Sequence, residues 1–223
     1  MAPNTDECQV VECPKERLLI NMRNYWGREG GMPERDKMRA VAESFDGGTT
    51  WKNLRFDTTL IEPICQASMI RYSFPGKGRI SRILFSNPAS KTSRDHMTVR
   101  LSYNEGRTWP VSRCIYRGSS AYSCLAVLSD GKVGLLFERD NYGKITFTSF
   151  PLSFLGERTV KKPKQIGSPP VFRRKKYLLL DSRVIAQKSG VVLLPGKVKK
   201  HPLNPLFGED KPWETRFDNL YPN

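Results

Sequence analysis

An eight-residue pattern occurs twice in this chain, at residues 44–51 and 102–109, and it constrains the fold more than any other feature. The two copies are 58 residues apart, and six of their eight positions are equivalent when Asn stands for Asp. An Asp or Asn side chain can cap the backbone of a tight turn, Gly can adopt a positive φ, and Trp can pack beneath. We therefore interpret the repeat as a folding device at a hairpin. Its residues are Ser44, Asp46, Gly48, Thr50 and Trp51, then Ser102, Asn104, Gly106, Thr108 and Trp109.

Short segments that alternate polar with apolar residues fill the first 157 positions, and tight-turn signals such as Asp130-Gly131 separate them. No segment keeps a helical period of 3.6 residues. A spacing of 58 residues suits one four-stranded blade of a β-propeller. We expect an all-β fold, with four-stranded antiparallel sheets arranged radially and the two repeats at equivalent places on the outer rim. The candidate strands are 9–13, 17–23, 38–44, 67–72, 82–85, 97–102, 123–128, 132–137 and 144–150.

Charge is distributed unevenly along the chain. Lys and Arg number 37 against 22 Asp and Glu, a net charge of +15, and residues 158–223 contribute 15 basic and 5 acidic residues. This suggests a globular domain over 1–157 and a basic linker with an irregular extension over 158–223. A nucleic-acid-binding or anionic-surface-binding tail is the weakest hypothesis, because only Tyr177 lies close enough to the basic run 173–176 to stack on a base.

Several other functional classes are not expected. The apolar runs 133–137 and 177–180 are far shorter than the ~18 residues of a membrane span. The first residues lack the basic and apolar segments of a secretory signal, so the compartment stays open. No Cys-x2-Cys spacing occurs and there are only two His, so we expect no metal site, no cofactor and reduced thiols. The cysteines are Cys8, Cys13, Cys65, Cys114 and Cys124.

The repeated pattern resembles the Asp-box of sialidases (neuraminidases) and of other β-propellers. From about Asp6 to Gly156 the surrounding segments resemble the sialidase family itself, in order and in spacing. The matching motifs are Asp6-Glu7-Cys8-Gln9, Leu19-Ile20-Asn21-Met22-Arg23-Asn24, Ser86-Asn87-Pro88-Ala89 with the following Arg94, Ala121-Tyr122-Ser123-Cys124-Leu125, and Asp130-Gly131-Lys132-Val133-Gly134-Leu135-Leu136-Phe137-Glu138. The resemblance implies part of a six-bladed propeller, about three blades at roughly 50 residues each.

The resemblance also implies roles for individual residues. Tyr122 corresponds to the nucleophile and Glu7 to its general base. Arg23 and Arg94 correspond to clamps on the substrate carboxylate, and Glu138 to a residue that orients an arginine. Sialic acid carries a carboxylate on its anomeric carbon, so a neutral phenol meets less repulsion there than a carboxylate nucleophile would. Arginine suits the clamp because its planar fork binds a carboxylate with two hydrogen bonds.

Two parts of the family pattern do not occur before Glu7: the Phe/Tyr-Arg-Ile-Pro motif with the first arginine, and the Asp that acts as general acid. The expectation is the C-terminal part of a sialidase propeller that is truncated and hydrolyses natural sialosides poorly or not at all. Residues 158–223 lie beyond the usual end of the family. Two interpretations of them stay open: an irregular extension, or the opening of a second glycosidase-like propeller.

The leading functional hypothesis is a retaining exo-α-sialidase that removes terminal sialic acid from sialylated glycans on glycoproteins, gangliosides or oligosaccharides. The alternative is a non-catalytic propeller that keeps the carboxylate clamp and binds sialoglycans without cleaving them. Nucleic acid is not an expected partner, and no membrane span is expected.

Overall fold

The computed structural model describes residues 3–76 and 78–156. They all belong to one compact unit, Met1–Gln165. The expectations for the extension 158–223 lie outside the described residues, so the proposed domain division stays a prediction.

The first sheet is a four-stranded antiparallel meander in which each strand pairs with the next one along the chain. A short 3-10 turn, Pro33–Arg35, lies between its second and third strands. The strands are β1 (Thr5–Glu12), β2 (Leu18–Asn24), β3 (Met38–Ser44) and β4 (Lys52–Ile61).

The second sheet has six strands, again in sequence order, and contains two successive blades. Its fourth strand is 17 residues long and changes partner: it pairs with β7 as far as Ser119 and with β9 from Ser120 onwards. A 3-10 turn, Leu152–Leu155, follows the last strand. The strands are β5 (Ser68–Ser73), β6 (Arg82–Pro88), β7 (Asp95–Ser102), β8 (Val111–Val127), β9 (Val133–Arg139) and β10 (Lys144–Phe150).

The two Asp-boxes occupy equivalent turns, after the third strand of each four-stranded unit, as predicted. In the first box Ser44 Oγ accepts a hydrogen bond from the Gly48 N–H at 2.9 Å, and Asp46 Oδ1 accepts one from the Thr50 N–H at 2.9 Å. The second box repeats both bonds with Ser102, Gly106, Asn104 and Thr108, at 3.0 and 2.9 Å. Gly48 and Gly106 have φ of +94° and +76°, which explains the preference for glycine there.

Apolar side chains fill the spaces between successive blades. One cluster joins β1, β2 and β3 to β5 and β6, and a second joins β6 and β7 to β8, β9 and β10. Trp109 of the second Asp-box belongs to the first cluster: its ring packs on Phe85 at 5.6 Å between centroids, and its Nε1 donates to Asp57 Oδ2 at 3.1 Å. The second Asp-box is therefore anchored to the first sheet.

Two stretches of strand were not predicted: β4 and the first part of β8, residues 111–122. Both are the outermost strand of a four-stranded unit, and both expose many charged and polar side chains. A strand with one unpaired edge and a solvent-exposed face does not show the alternation of polar and apolar residues that identified the inner strands. These two segments were absent from the candidate strands, whereas the expected all-β fold class is confirmed.

The topology fixes where the site lies. Glu7 stands near the start of β1 and Arg23 near the end of the antiparallel β2, while Arg94 directly precedes β7. The Asp-boxes follow the ends of β3 and β7, at the opposite end of the strands. Since β1 packs against β5 and β5 against β8, Glu7 and Tyr122 are brought towards each other across the innermost strands. Among the described residues, none of the helical segments is long and apolar enough to cross a membrane.

Candidate active site

Glu7 owes its position to a β-bulge. The β1–β2 register shifts between Asp6, which pairs with Arg23, and Cys8, which pairs with Met22. The extra residue is Glu7 itself, whose φ is +33°. A bulge bends the strand locally and re-aims the side chain that it carries. The carboxyl group of Glu7 reaches both Arg23 and Tyr122, and about a quarter of it stays exposed.

Tyr122 lies just beyond the point where β8 changes partner. The β8–β9 register shifts between Ser120 and Ser123, so Tyr122 is left out of the regular ladder. Its backbone N–H donates instead to Oε2 of Glu138 at 3.0 Å. The amide of Gln66 pairs with both backbone groups of Ser123, at 2.9 and 3.1 Å. Glu138 and Gln66 thus fix the backbone on either side of the tyrosine.

Tyr122, Glu7 and Arg23 form one hydrogen-bonded group. The Tyr122 hydroxyl donates to Oε1 of Glu7, and Nη1 of Arg23 donates to Oε2 of Glu7 at 2.6 Å. The same Nη1 lies 3.3 Å from the Tyr122 hydroxyl oxygen. Burial first, and then the hydrogen bond and negative charge of Glu7, raise the pKa of Tyr122 above its usual value. The resting phenol is therefore neutral.

Arg23 is held by anionic and aromatic neighbours. Burial alone would lower its pKa, but the hydrogen bond and charge of Glu7 outweigh burial and raise it. Its Nε lies 3.7 Å from Oδ1 of Asp6, and its Cζ stands 5.0 Å above the ring of Tyr25. The side chain is about one-eighth exposed, which makes it a permanent cation in a poorly solvated position.

Arg94 approaches Tyr122 from the β6–β7 loop. Its Cζ lies 6.0 Å from the centroid of the Tyr122 ring. Its Nη2 donates to the backbone oxygen of Ile64 and its Nη1 to the hydroxyl of Tyr142, each at 3.0 Å. Arg100, the other arginine of this region, is buried and donates to Asn87 Oδ1 at 3.0 Å. Burial lowers the pKa of Arg100 to about 10, and its side chain belongs to the core.

Three contributors to this region have no signal in the sequence: Gln66, Tyr142 and the buried pair of Arg39 with Glu62. Nη1 of Arg39 donates to Oε2 of Glu62 at 2.6 Å, and both side chains are completely buried. The other oxygen of Glu62 accepts from the N–H of Asn24, next to Arg23, at 2.9 Å. Each contact joins segments that are far apart in the chain, so spacing alone does not reveal it.

The arrangement combines a neutral phenol, a carboxylate on its hydroxyl and two arginines beside it. A cavity of about 240 Å³ opens next to Arg94, between the β6–β7 loop and the β9–β10 turn. Glu7, Arg23, Arg94, Tyr122 and Glu138, all singled out in the sequence, meet at this end of the strands, whereas the Asp-box residues lie at the other end. No arginine contact is seen for Glu138 among residues 3–76 and 78–156.

The chain is similar to known sialidases over about two-thirds of its length. It is 40% identical to a sialidase of Micromonospora viridifaciens over 155 residues, which is 68% of this chain and 22% of that protein. It is 31% identical to a sialidase of Bacteroides fragilis over 156 residues, 67% of this chain and 26% of that protein. The chain therefore spans about a quarter of the length of these relatives.

The solved structure of a Hadza microbial sialidase superposes with a TM-score of 0.56 at 35% sequence identity, covering 68% of this chain and 28% of that one. No family model matches the chain. Three observations point to the same family: the successive four-stranded units, the two Asp-boxes and the similarity to these sialidases. The chain belongs to the sialidase family, as a portion of its β-propeller.

Proposed function

We propose that this chain contributes the nucleophile, its base and two carboxylate-binding arginines to a retaining exo-α-sialidase that acts on sialylated glycans. The observation that carries the proposal is the hydrogen-bonded group of Tyr122, Glu7 and Arg23. Sialidases in which tyrosine is the nucleophile are the exception to the usual pair of carboxylates in glycosidases. The likeness to proteins named sialidases supports the same assignment.

In the first step the Tyr122 hydroxyl gives its proton to Oε1 of Glu7 while its oxygen bonds to the anomeric carbon. The bond from that carbon to the leaving oxygen breaks, and its electron pair goes to the leaving group. Burial, and after it the hydrogen bond and charge of Glu7, raise the pKa of Tyr122, and protonation of Glu7 removes that charge. Arg23 stays within 3.3 Å of the phenolic oxygen and stabilises the charge that develops on it.

In the second step water displaces the Tyr122 oxygen and gives up a proton to the departed alkoxide or to solvent. Glu7 then returns its proton to the phenolate. Two displacements at one carbon restore the original configuration, so the product is the retained anomer. Glu138 acts on the backbone of Tyr122, which fixes where the phenol stands. Arg23 and Arg94 would receive the substrate carboxylate, a pairing that guanidinium geometry favours.

The test uses an aryl α-sialoside, whose phenolate leaves with little help from an acid. We expect product release by the full chain to fall at least ~10²-fold in Tyr122→Phe and ~10²–10⁴-fold in Glu7→Gln. Tyr72→Phe is the matched control, because Tyr72 also donates its hydroxyl, to the oxygen of Gly131 at 2.7 Å, at the other end of the strands. Unchanged turnover in Tyr122→Phe would contradict the proposal.

The same assay separates the enzyme from the binding module. A chain that binds an α-sialoside but releases no product, in wild type and Tyr122→Phe alike, is a sialoglycan-binding propeller. The contacts of Glu7 favour the enzyme, because a mere binding site does not need a carboxylate on the tyrosine hydroxyl.

A further inference from the structure

We propose that Tyr142 is a positioning residue for Arg94: its hydroxyl holds the guanidinium beside Tyr122 and thereby sets the affinity for the substrate carboxylate. The inference rests on the proposed function of Arg94. Tyr142 lies in the β9–β10 turn, 48 positions from Arg94, and accepts from Nη1 at 3.0 Å. Neither the Asp-boxes nor the motifs shared with sialidases include it.

The turn that carries Tyr142 has an unusual backbone. Asp140, Asn141 and Tyr142 have φ of +53°, +53° and +68°, three consecutive non-glycine residues in the left-handed region. Single residues visit that region at a cost, and a run of three persists only when the surroundings hold it. Such strain is expected where one side chain must be aimed at a particular point.

Several contacts hold this turn in place. The Tyr116 hydroxyl donates to Asp140 Oδ1 at 2.6 Å, and the Asn141 N–H donates to Ser119 Oγ at 3.1 Å. The Ser119 hydroxyl donates in turn to Asn141 Oδ1 at 2.9 Å. The turn is thus tied to β8 shortly before Tyr122. By contrast, Tyr142 itself is 59% exposed, and its hydroxyl accepts the hydrogen bond from Nη1 of Arg94.

Arg94 is held on its other side by another residue in the left-handed region. The oxygen that accepts from Nη2 belongs to Ile64, which has φ of +56°, an outlier for a β-branched residue. Each terminal nitrogen of a guanidinium carries two hydrogens, so one bond on each leaves the second hydrogen for a ligand. Two strained loops therefore fix the plane of the fork that would bind a carboxylate.

The decisive measurement is calorimetric binding of methyl α-sialoside and of its methyl ester, which lacks the anionic carboxylate. We expect Tyr142→Phe in the full chain to weaken binding of the acid about 5- to 20-fold, at the border between the worth of an ordinary hydrogen bond and that of one to a charged group, and the ester less than 2-fold. In an Arg94→Ala background the same substitution should change binding of the acid less than 2-fold. Tyr72→Phe is the matched control and should alter neither ligand.

A second readout needs no ligand. The NMR signals of the Arg94 guanidinium, assigned by their loss in Arg94→Lys, should move towards those of a free arginine in Tyr142→Phe and stay in place in Tyr72→Phe. Unmoved signals, an equal loss for acid and ester, or additivity with Arg94→Ala would overturn the inference. If Arg94→Ala binds the acid normally, the carboxylate clamp of the proposed function fails, and the NMR signals still decide whether Tyr142 holds Arg94.

Discussion

The hydroxyl of Tyr122 donates a hydrogen bond to the carboxylate of Glu7, although the two residues stand in different blades. The other oxygen of that carboxylate accepts from Arg23 at 2.6 Å. A phenol has a pKa near 10 and is a weak nucleophile at neutral pH. An adjacent base removes this obstacle, provided that base and phenol are held within reach of each other. The bulge at Glu7 and the partner change in β8 meet this requirement.

Replacing Glu7 by Gln should lower the pKa of Tyr122, because it removes a negative charge that opposes phenolate formation. Burial, the largest cause of the raised pKa, stays, so the substitution should remove only part of the shift. Ultraviolet titration of the phenolate band, taken as the difference from Tyr122→Phe, measures it. A higher pKa in Glu7→Gln would contradict this electrostatic account.

The same shift predicts a dependence of stability on pH. The pKa of Tyr122 in the folded chain is raised above the value of about 10 in the unfolded chain. The contribution of Tyr122 to the free energy of unfolding is therefore complete below about pH 10. That contribution is lost as the pH rises further, because only the unfolded chain then releases the proton readily. Between pH 9 and 11 the free energy of unfolding, measured with urea, should fall less in Tyr122→Phe than in the wild type.

Breaking the buried pair of Arg39 and Glu62 should destabilise the fold strongly. Both side chains are completely buried, so Arg39→Met or Glu62→Gln leaves an uncompensated charge or an unpaired amide. We expect the free energy of unfolding to fall by about 3–5 kcal/mol. Asp130→Asn, which breaks the half-exposed pair with Lys132, is the control and should cost less than about 1 kcal/mol. Equal effects of the two changes would show that the burial of the pair is irrelevant.

The two Asp-boxes predict how Asp46 can be replaced. Hydrogen bonds from Thr50, and to a smaller extent from Ser44, lower the pKa of Asp46 to about 2. The contribution of the Asp46 carboxylate to the stability of the fold is therefore complete above about pH 4. The contribution is lost as the pH falls towards 2. Asn104 makes the equivalent bond to the Thr108 N–H with an amide oxygen. Asp46→Asn should therefore fold normally and unfold less readily in acid than wild type. A variant as acid-sensitive as wild type would contradict this.

The five cysteines should differ in reactivity. All are unpaired in the structure; Cys13 and Cys65 are buried, while Cys114 and Cys124 are exposed. Burial raises the pKa of the Cys13 and Cys65 thiols to about 11. A disulfide reagent should label Cys114 and Cys124 in the folded chain, and Cys13 and Cys65 only after unfolding. Fewer than five reactive thiols in the unfolded chain without reductant would reveal a disulfide.

The sequence was most informative where one short segment carries the whole signal. The Asp-box turns and the inner strands follow from local patterns or spacing. Contacts between distant segments left no such trace. The bulge at Glu7 depends on register with β2, and the bond of Tyr142 to Arg94 depends on how two loops meet. The outer strands were missed because their open edge needs no apolar pattern.

The most direct test of the central claim is covalent trapping of the nucleophile. A sialosyl fluoride with a second fluorine on the adjacent carbon has a good leaving group, and its glycosyl–enzyme intermediate hydrolyses slowly because the second fluorine destabilises positive charge at the anomeric carbon. After incubation with the full chain, mass spectrometry of the digested protein locates the label. The account predicts one sialosyl adduct on Tyr122, absent in Tyr122→Phe and formed more slowly in Glu7→Gln. Labelling of another residue, or equal labelling of Tyr122→Phe, would contradict it.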